Sequence, residues 1–295
     1  MPLWNEYRSP VSVEEALASL VQAQGGARII AGGTDLLLDL QQGRLPPQRA
    51  LIDVTRIEEM TRINADREVI TIGAAVTHAQ IVDHPVLQEH AACLVQASAL
   101  IGGPQVRNVA TIGGNVAHAL PAGDGSIALL ALEAEVEIAS STGRRWEPLE
   151  GVFAGPGQVT FERGGELLVA FRFRPTGPAQ ISAFRRIMRP QGVAIAILNM
   201  AVWLEWGPEE RIAQVRLTVG AAGPRPLRAR KAEAALRGRT LERKTVEAAI
   251  SALAAEARVR TSPHRASETY RRDLLGVLLA EVLDAARLGA KAGAW

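Results

Sequence analysis

Two short segments stand out in this sequence: Ala-Gly-Gly-Thr-Asp-Leu at residues 31–36 and Thr-Ile-Gly-Gly-Asn at residues 111–115. Paired glycines let a backbone approach a ligand closely and take up positive φ angles. Consecutive N–H groups in such turns form a concavity that binds anions. Neither segment contains Lys or Arg, so we expect main-chain N–H groups and the hydroxyls of Thr34 and Thr111 to hold a diphosphate. Either segment alone could equally be a plain turn between elements.

Other phosphate-binding and catalytic motifs are absent from the sequence or badly placed. The missing G-x-x-x-x-G-K-[ST] pattern excludes a P-loop NTPase. Residues 123–128 mimic G-x-G-x-x-A, but residues 119–122 do not read as the strand that a Rossmann fingerprint requires. Asp124 is predicted to be either a turn or helix cap or an acceptor for a ligand hydroxyl. Because neither a nucleophile elbow nor a metal-ligand spacing occurs, a cofactor is expected to do the chemistry.

Composition indicates a globular protein of at least two domains. The chain has 295 residues, of which 47% are hydrophobic and 22% charged. Its apolar runs fall short of the roughly 18 residues that a membrane span needs. The only cysteine, Cys93, excludes an internal disulfide and a cysteine-ligated cluster within this chain, and it is predicted to be a core residue. With no export signal in residues 1–6, we expect a cytoplasmic location.

Charge divides the sequence into an acidic and a basic part. Residues 1–175 hold 13 Lys and Arg against 20 Asp and Glu, whereas residues 176–295 hold 20 against 11. The excess positive charge indicates either a solvated helical surface or a docking face for an acidic partner. No basic run is interleaved with aromatic residues, so nucleic-acid binding is not expected.

Periodicity predicts a mixed α+β protein whose domains occupy residues 1–57, 58–175 and 176–295. The best linker candidate, Thr176-Gly177-Pro178, coincides with the charge reversal. After it, three strand-like segments precede three helical ones, which favours helices on one face of an antiparallel sheet. Predicted helices span residues 12–24, 86–101, 126–132, 225–237, 241–258 and 267–289, and predicted strands span 28–31, 50–54, 69–73, 136–139, 181–188, 194–205 and 212–221.

Four segments follow one another in this order: AGGTDL at residues 31–36, PQVRNVATIGGNVA at residues 104–117, Pro-Ala-Gly-Asp at 121–124 and Tyr-Arg-Arg at 270–272. Together they resemble the FAD-binding medium subunit of the molybdenum hydroxylases. That family includes xanthine dehydrogenases and carbon monoxide dehydrogenase. The resemblance covers the whole chain. It implies a two-lobed FAD-binding domain of the vanillyl-alcohol-oxidase type, followed by a C-terminal α+β domain with a small antiparallel sheet and helices.

The resemblance also implies which residues hold the cofactor. The first motif would wrap the diphosphate, the second would line the same cofactor, and Asp124 would bond near its ribose or ribityl part. Ile101 would lie against the flavin ring. The implied FAD-binding residues are Ala31, Gly32, Gly33, Thr34, Asp35, Leu36, Ile101, Thr111, Gly113, Gly114, Asn115, Asp124, Leu168 and Arg185; no catalytic or metal-binding residue is implied.

Two positions depart from the family pattern. Many members place a Lys near the flavin or its diphosphate in the strand after the linker, where this sequence has Phe184-Arg185-Arg186. An Arg is expected to replace that Lys, with Arg185 as the candidate and the roles of Arg185 and Arg186 left open. Many members then have Asp followed by Tyr or a large aliphatic residue. Here residues 191–194 read Gln-Gly-Val-Ala, which predicts a less shielded flavin face.

The resemblance implies an electron-transfer subunit rather than a complete enzyme. Its partners would be a large molybdopterin-binding subunit and a small [2Fe–2S] subunit, assembled as a dimer of heterotrimers. Electrons would pass from the clusters through FAD to an external acceptor. Two alternatives remain open: a stand-alone FAD-dependent oxidase or reductase, and a non-catalytic assembly protein with a vestigial nucleotide pocket.

Overall fold

The computed structural model describes residues 2–189, 195–263 and 265–292, with side chains as far as residue 288. The predicted α+β class is confirmed, since three main sheets of three, five and four strands are combined with helices. In the described ranges, no helix is both long enough and apolar enough to span a membrane. The departure at residues 191–194 lies outside this part of the chain.

The first lobe is a small parallel sheet with helices on both faces. Its strands lie side by side in the order β1, β3, β2. Apolar residues of α1 cover one face, and Leu40 of α2 covers the other together with Ile30 and Leu51. The elements are β1 (Trp4–Arg8), α1 (Val13–Gln22), β2 (Ala27–Ile30), α2 (Leu36–Gln41) and β3 (Gln48–Asp53).

The helix predicted after Ser12 begins as expected. Ser12 Oγ accepts a hydrogen bond from the N–H of Glu15 at 3.2 Å, which satisfies one unpaired donor of the first turn. The Glu15 carboxylate accepts from the N–H of Val11 at 2.9 Å instead of from Ser12. This second bond is made one residue before the N-cap, so Ser12 and Glu15 do not form a reciprocal capping box.

The second lobe is built on a five-stranded antiparallel sheet in the order β4, β5, β10, β6, β7. Its helices are short, and several lie between β5 and β6. The strands are β4 (Ile63–Ala65), β5 (Ile70–Gly73), β6 (Glu135–Ser140), β7 (Gly143–Pro148), β8 (Phe153–Gly155), β9 (Gln158–Val159) and β10 (Glu166–Phe173), and the helices are α3 (Glu58–Thr61), α4 (His78–Asp83), α5 (Pro85–His90), α6 (Ala92–Ala99), α7 (Pro104–Arg107), α8 (Ile112–His118) and α9 (Asp124–Ala131).

The C-terminal part is an antiparallel sheet in the order β11, β12, β13, β14, packed against three helices. The predicted succession of strands and then helices is confirmed. The elements are β11 (Gln180–Ile187), β12 (Leu198–Trp206), β13 (Ile212–Gly220), β14 (Leu227–Arg228), α10 (Arg230–Leu236), α11 (Arg243–Glu256) and α12 (Glu268–Ala292).

Two predicted helices are corrected by the structure. The helix expected at residues 86–101 is interrupted at Ala91, whose φ of −148° is not helical, and it divides into α5 and α6. The helix expected from residue 225 starts only at Arg230, because Leu227 and Arg228 pair with β13 as an edge strand. Sequence periodicity also gave no sign of β1, β7 or α8.

Helix α9 joins the second lobe to the C-terminal sheet. All eight of its residues are buried, including the polar residues Asp124 and Ser126. Thr218 Oγ1 on β13 donates to the carbonyl of Ile127 at 2.8 Å, and Cys93 Sγ on α6 lies 3.8 Å from the carbonyl of Ala128. Cys93 is a core residue, as predicted, and burial raises its pKa to about 12.

The predicted linker is packed against the second lobe. Thr176 is only 7% exposed, and its N–H donates to the carbonyl of His90 at 3.0 Å. Further interdomain bonds join Arg216 and Arg228 to Glu133 at 2.8 and 3.0 Å. The domain bounds 1–57, 58–175 and 176–295 stay a prediction.

The two N-terminal lobes meet by direct backbone contact at Gly32. A Cβ atom at this position would lie 2.0 Å from the carbonyl oxygen of Val109 and 2.8 Å from the nitrogen of Ala110. Val109 and Ala110 directly precede Thr111, so the first glycine motif touches the backbone that leads into the second. Only glycine permits this approach.

We predict that Gly32→Ala separates the lobes or strains both backbones. Overpacking against an atom that cannot move aside should lower the free energy of unfolding by about 1–3 kcal/mol. Urea denaturation measures the change. Gly151→Ala is the matched control, because a Cβ at Gly151 would meet nothing within 4 Å. Equal midpoints for the two variants would contradict this close contact.

Candidate cofactor site

The structure brings the two glycine motifs together at the junction of the lobes. Besides the Gly32 contact, His118 Nε2 at the end of α8 lies 4.0 Å from Asp35 Oδ1 in the first motif. Both contacts place α8 alongside the turn at residues 31–35. The sequence expectation that the two motifs face a common site agrees with this geometry.

The first motif presents unused backbone donors. Among the described residues, the N–H groups of residues 32–35 have no hydrogen-bond acceptor. Gly33 has a φ of +68°, which turns the chain between β2 and α2. Four consecutive donors in a turn of this kind form a cradle suited to phosphate oxygens.

The second motif contributes differently, because the protein itself uses its backbone donors. The N–H of Gly113 donates to Ala74 O at 2.8 Å, and the N–H of Asn115 donates to Thr111 O at 3.0 Å. The N–H of Gly114 donates to Thr111 Oγ1 at 3.1 Å. This motif therefore supplies a closely packed wall and the Thr111 hydroxyl, whereas the backbone donors without acceptors lie in the first motif.

Asn115 connects α8 to α9. Its Oδ1 accepts hydrogen bonds from the backbone N–H and the hydroxyl of Ser126, at 3.0 and 3.1 Å. This fixes the side chain at the start of α9 and next to Asp124. Its amide nitrogen remains the group that could meet a ligand.

Leu168 lies behind the second motif. It is 5% exposed on β10, where the pairing with β6 shifts register between Leu168 and Ala170. The carbonyl of Val169 at this irregularity accepts from the N–H of Ala74, whose own carbonyl accepts from Gly113. The irregular strand thus supports the glycine wall from below.

Ile101 lies in a turn held by a guanidinium group. Arg107 Nη1 donates to the carbonyls of Ile101 and Gly102 at 3.2 and 2.8 Å. Beneath this turn His78 is buried, and its Nδ1 lies 3.2 Å from Ser98 Oγ. Burial and then the nearby Arg107 charge lower the pKa of His78 to about 4, so the imidazole is neutral near pH 7.

A buried polar cluster lies where α9 meets the C-terminal sheet. Arg186 Nη1 donates to Asp124 Oδ2 at 2.5 Å, and Asn199 Nδ2 donates to Asp124 Oδ1 at 2.5 Å. The ion-paired side chains are 7% and 6% exposed. Burial raises the pKa of Asp124, opposed by the Arg186 charge and the two hydrogen bonds.

The same cluster holds two buried polar atoms without partners among the described residues. One is a donor, Arg186 Nε, and the other is an acceptor, Asn199 Oδ1. Buried polar atoms normally find partners, so the cluster has hydrogen-bonding capacity that the described protein atoms do not use.

The side chain of Arg185 does not join the cluster around Asp124. Its Nη1 donates to the carbonyl of Phe184 at 2.8 Å and lies 3.4 Å from Gln96 Oε1 on α6. Neighbouring residues of a strand face opposite sides, and it is Arg186 that reaches Asp124. The assignment of Arg185 to the cofactor stays a prediction. Asn199, which joins Arg186 at Asp124, was not singled out from the sequence.

The donor set fits a dinucleotide cofactor. A glycine-lined turn whose four N–H groups have no acceptor among the described residues suits a diphosphate. In the part of the chain that the structure describes, no group of three or more His, Cys, Asp or Glu residues is arranged to hold a metal.

Fold and site together define an FAD-binding oxidoreductase subunit, and comparison with known proteins specifies the family. A family model described as "FAD binding domain in molybdopterin dehydrogenase" matches residues 4–175, and "CO dehydrogenase flavoprotein C-terminal domain" matches residues 182–286. The chain belongs to this family of molybdenum hydroxylase flavoproteins, and the resemblance stated from the motifs is confirmed.

Similar proteins match almost the whole chain. A putative xanthine dehydrogenase FAD-binding subunit of Escherichia coli K12 is 31% identical over 283 residues, 95% of each protein. Nicotine 6-hydroxylase medium subunit of Paenarthrobacter nicotinovorans is 34% identical, covering 92% of this chain and 94% of that one. A solved chain of carbon monoxide dehydrogenase from Hydrogenophaga pseudoflava superimposes with a TM-score of 0.92 at 30% identity, covering 98% and 99%.

We predict that Asp124→Asn strongly destabilises the protein, because it leaves the Arg186 guanidinium buried without a counter-charge. The expected loss is about 3–5 kcal/mol in the free energy of unfolding, measured by urea denaturation. Glu150→Gln removes one partner of an exposed ion pair with Arg230 and should cost at most about 1 kcal/mol. A similar small cost for both variants would refute the buried ion pair.

Proposed function

We propose that this chain is the FAD-carrying electron-transfer subunit of a molybdenum-containing hydroxylase or dehydrogenase complex. It would accept electrons from [2Fe–2S] clusters of a partner subunit and pass them to an external acceptor. The observation that carries the proposal is the run of four N–H groups at residues 32–35 that have no acceptor among the described residues, next to the backbone that leads into the second glycine motif.

The chain's own residues bind and orient the cofactor in this proposal. The N–H groups of residues 32–35 hold the diphosphate, and Thr111 offers its hydroxyl from the opposite lobe. Ile101, fixed by Arg107, packs beside the flavin ring. When bound, the flavin supplies the two-electron redox chemistry, so no side chain of this chain needs to act as a nucleophile.

The proposed partners are a large molybdopterin-binding subunit and a small [2Fe–2S] subunit, in a dimer of heterotrimers. Support comes from relatives named as medium subunits or medium chains, such as those of nicotine 6-hydroxylase and carbon monoxide dehydrogenase. The basic charge excess of residues 176–295 provides a surface for an acidic partner. We place the complex in the cytoplasm, consistent with a single buried thiol.

The purified chain is expected to be yellow and to contain one FAD. Gly114→Ala should weaken FAD binding by about tenfold or more. The added methyl group meets only Thr111 Oγ1 within the protein, so it projects into the space that the proposed cofactor would fill. Absorbance of retained flavin and titration of the apoprotein with FAD measure the effect. Gly151→Ala is again the control. A colourless wild-type chain that takes up no FAD would exclude this function.

The partner assignment requires the complex itself. Native mass spectrometry of the protein from its source, with cofactors retained, should give a mass that includes two further chains, molybdopterin and [2Fe–2S] clusters. A stand-alone flavoenzyme would instead appear without partner chains and with full activity. That result would be compatible with FAD binding but would exclude the proposed role as an electron-transfer subunit of a complex.

A further inference from the structure

The C-terminal end of α8 needs hydrogen-bond donors from outside the helix. α8 has seven residues and contains Gly113 and Gly114, so its intrinsic stability is low. It ends at Ala119, whose φ of 55° lies in the left-handed region. The carbonyl of Ala117 has no helical donor four residues on, because that residue is Pro121, which lacks an N–H.

Arg163 supplies a donor at this end of the helix. It lies in the loop between β9 and β10, and its Nη2 donates to the carbonyl of Ala117 at 2.6 Å. The same nitrogen donates to the carbonyl of Gly157 at 3.0 Å, in the turn between β8 and β9. The N–H of Gly157 donates in turn to the carbonyl of Ala119 at 3.0 Å. Arg163 and this turn therefore hold two carbonyl groups at the end of α8.

The loop that carries Arg163 also lies against the first lobe. A Cβ atom at Gly164 would be 3.8 Å from the Cα of Gly25, in the turn before β2. His118, in the last turn of α8, approaches Asp35 of the first glycine motif at 4.0 Å. The loop is thus placed where α8 and the first lobe meet.

The bonds of Arg163 to α8 and the β8–β9 turn are hydrogen bonds to uncharged groups. Arg163 is half-buried, and its partners there are carbonyl oxygens. Burial lowers the pKa of its guanidinium group, and the like charge of Arg28 lowers it further. A positive group at the C-terminal end of a helix also interacts favourably with the helix dipole. Loss of this donor would leave the carbonyl of Ala117 unpaired, which costs more than loss of an exposed ion pair.

We propose that Arg163 is a positioning residue for the cofactor site: by binding the carbonyl of Ala117, it holds α8 in the orientation that sets Thr111 and Asn115 towards FAD. The inference rests on the proposed function for the identity of the cofactor, and it adds a residue that lies outside both glycine motifs. Because α8 is only about 10 Å long, a shift at its C-terminal end also displaces its N-cap, Thr111.

The first test is titration of the FAD-free chain with FAD, followed by the change in flavin absorbance. Arg163→Met keeps an unbranched stem but removes the donor, and it should weaken FAD binding by about tenfold. Arg163→Lys should restore the affinity to within about threefold of wild type, because both bonds come from one nitrogen and an ammonium group has three donors. If Arg163→Met does not fold, Arg163→Gln replaces it, since its amide ends two bonds short of Nη2 and should give the same loss.

Arg225→Met is the control for the hairpin of β8 and β9. The exposed Arg225 donates from Nη1 to the carbonyl of Phe153 on β8 at 3.2 Å, so it binds the same hairpin without reaching α8. Its loss should leave the FAD affinity unchanged. Equal affinity of Arg163→Met and wild type would overturn the inference, and so would an equal loss in Arg225→Met.

Hydrogen exchange of the FAD-free chain gives a second readout, which does not depend on the cofactor. In Arg163→Met the amides of α8 should exchange about tenfold faster, whereas those of β12 in the C-terminal sheet should exchange as in wild type. Faster exchange throughout the chain would instead show a general loss of stability and would contradict a positioning role. If the wild-type chain takes up no FAD, the proposed function fails, and the exchange of α8 alone decides whether Arg163 holds this helix.

Discussion

The structure depends on one backbone contact, the approach of Gly32 to Val109. A side chain at residue 32 would occupy the position of a carbonyl oxygen, so the two lobes can close only if this residue is glycine. Closure sets the turn at residues 32–35, with its free N–H groups, beside Thr111 and α8. A steric requirement at one residue thus determines where these unpaired donors lie.

The two glycine motifs do different work although they look alike in sequence. In the first motif, the backbone N–H groups of residues 32–35 have no acceptor among the described residues. In the second motif, the backbone N–H groups donate to oxygens of Ala74 and Thr111. The second motif is a structural wall whose value lies in its small residues. This division is the reason that the proposed diphosphate site is assigned to the first motif, although neither motif carries a basic side chain.

Sequence reasoning reached the fold and the meeting of the motifs, but not the details that depend on the third dimension. The capping residue Ser12 is a local signal, and the helix that it begins was predicted. Helix α8 was missed because its glycines have poor helix propensity, and tertiary packing of Gly113 against Ala74 overrides it. The sequence left the roles of Arg185 and Arg186 open, because only the structure shows that Arg186 reaches Asp124.

Helix α9 has a consequence for how the chain holds together. It belongs in sequence to the second lobe, yet the C-terminal sheet covers it as fully as its own lobe does, through Thr218 and the Arg186 and Asn199 bonds to Asp124. Cohesion between these parts therefore resides in a shared hydrophobic interior rather than in the peptide that joins β10 to β11. A protease that severed that peptide would produce two fragments that stay associated.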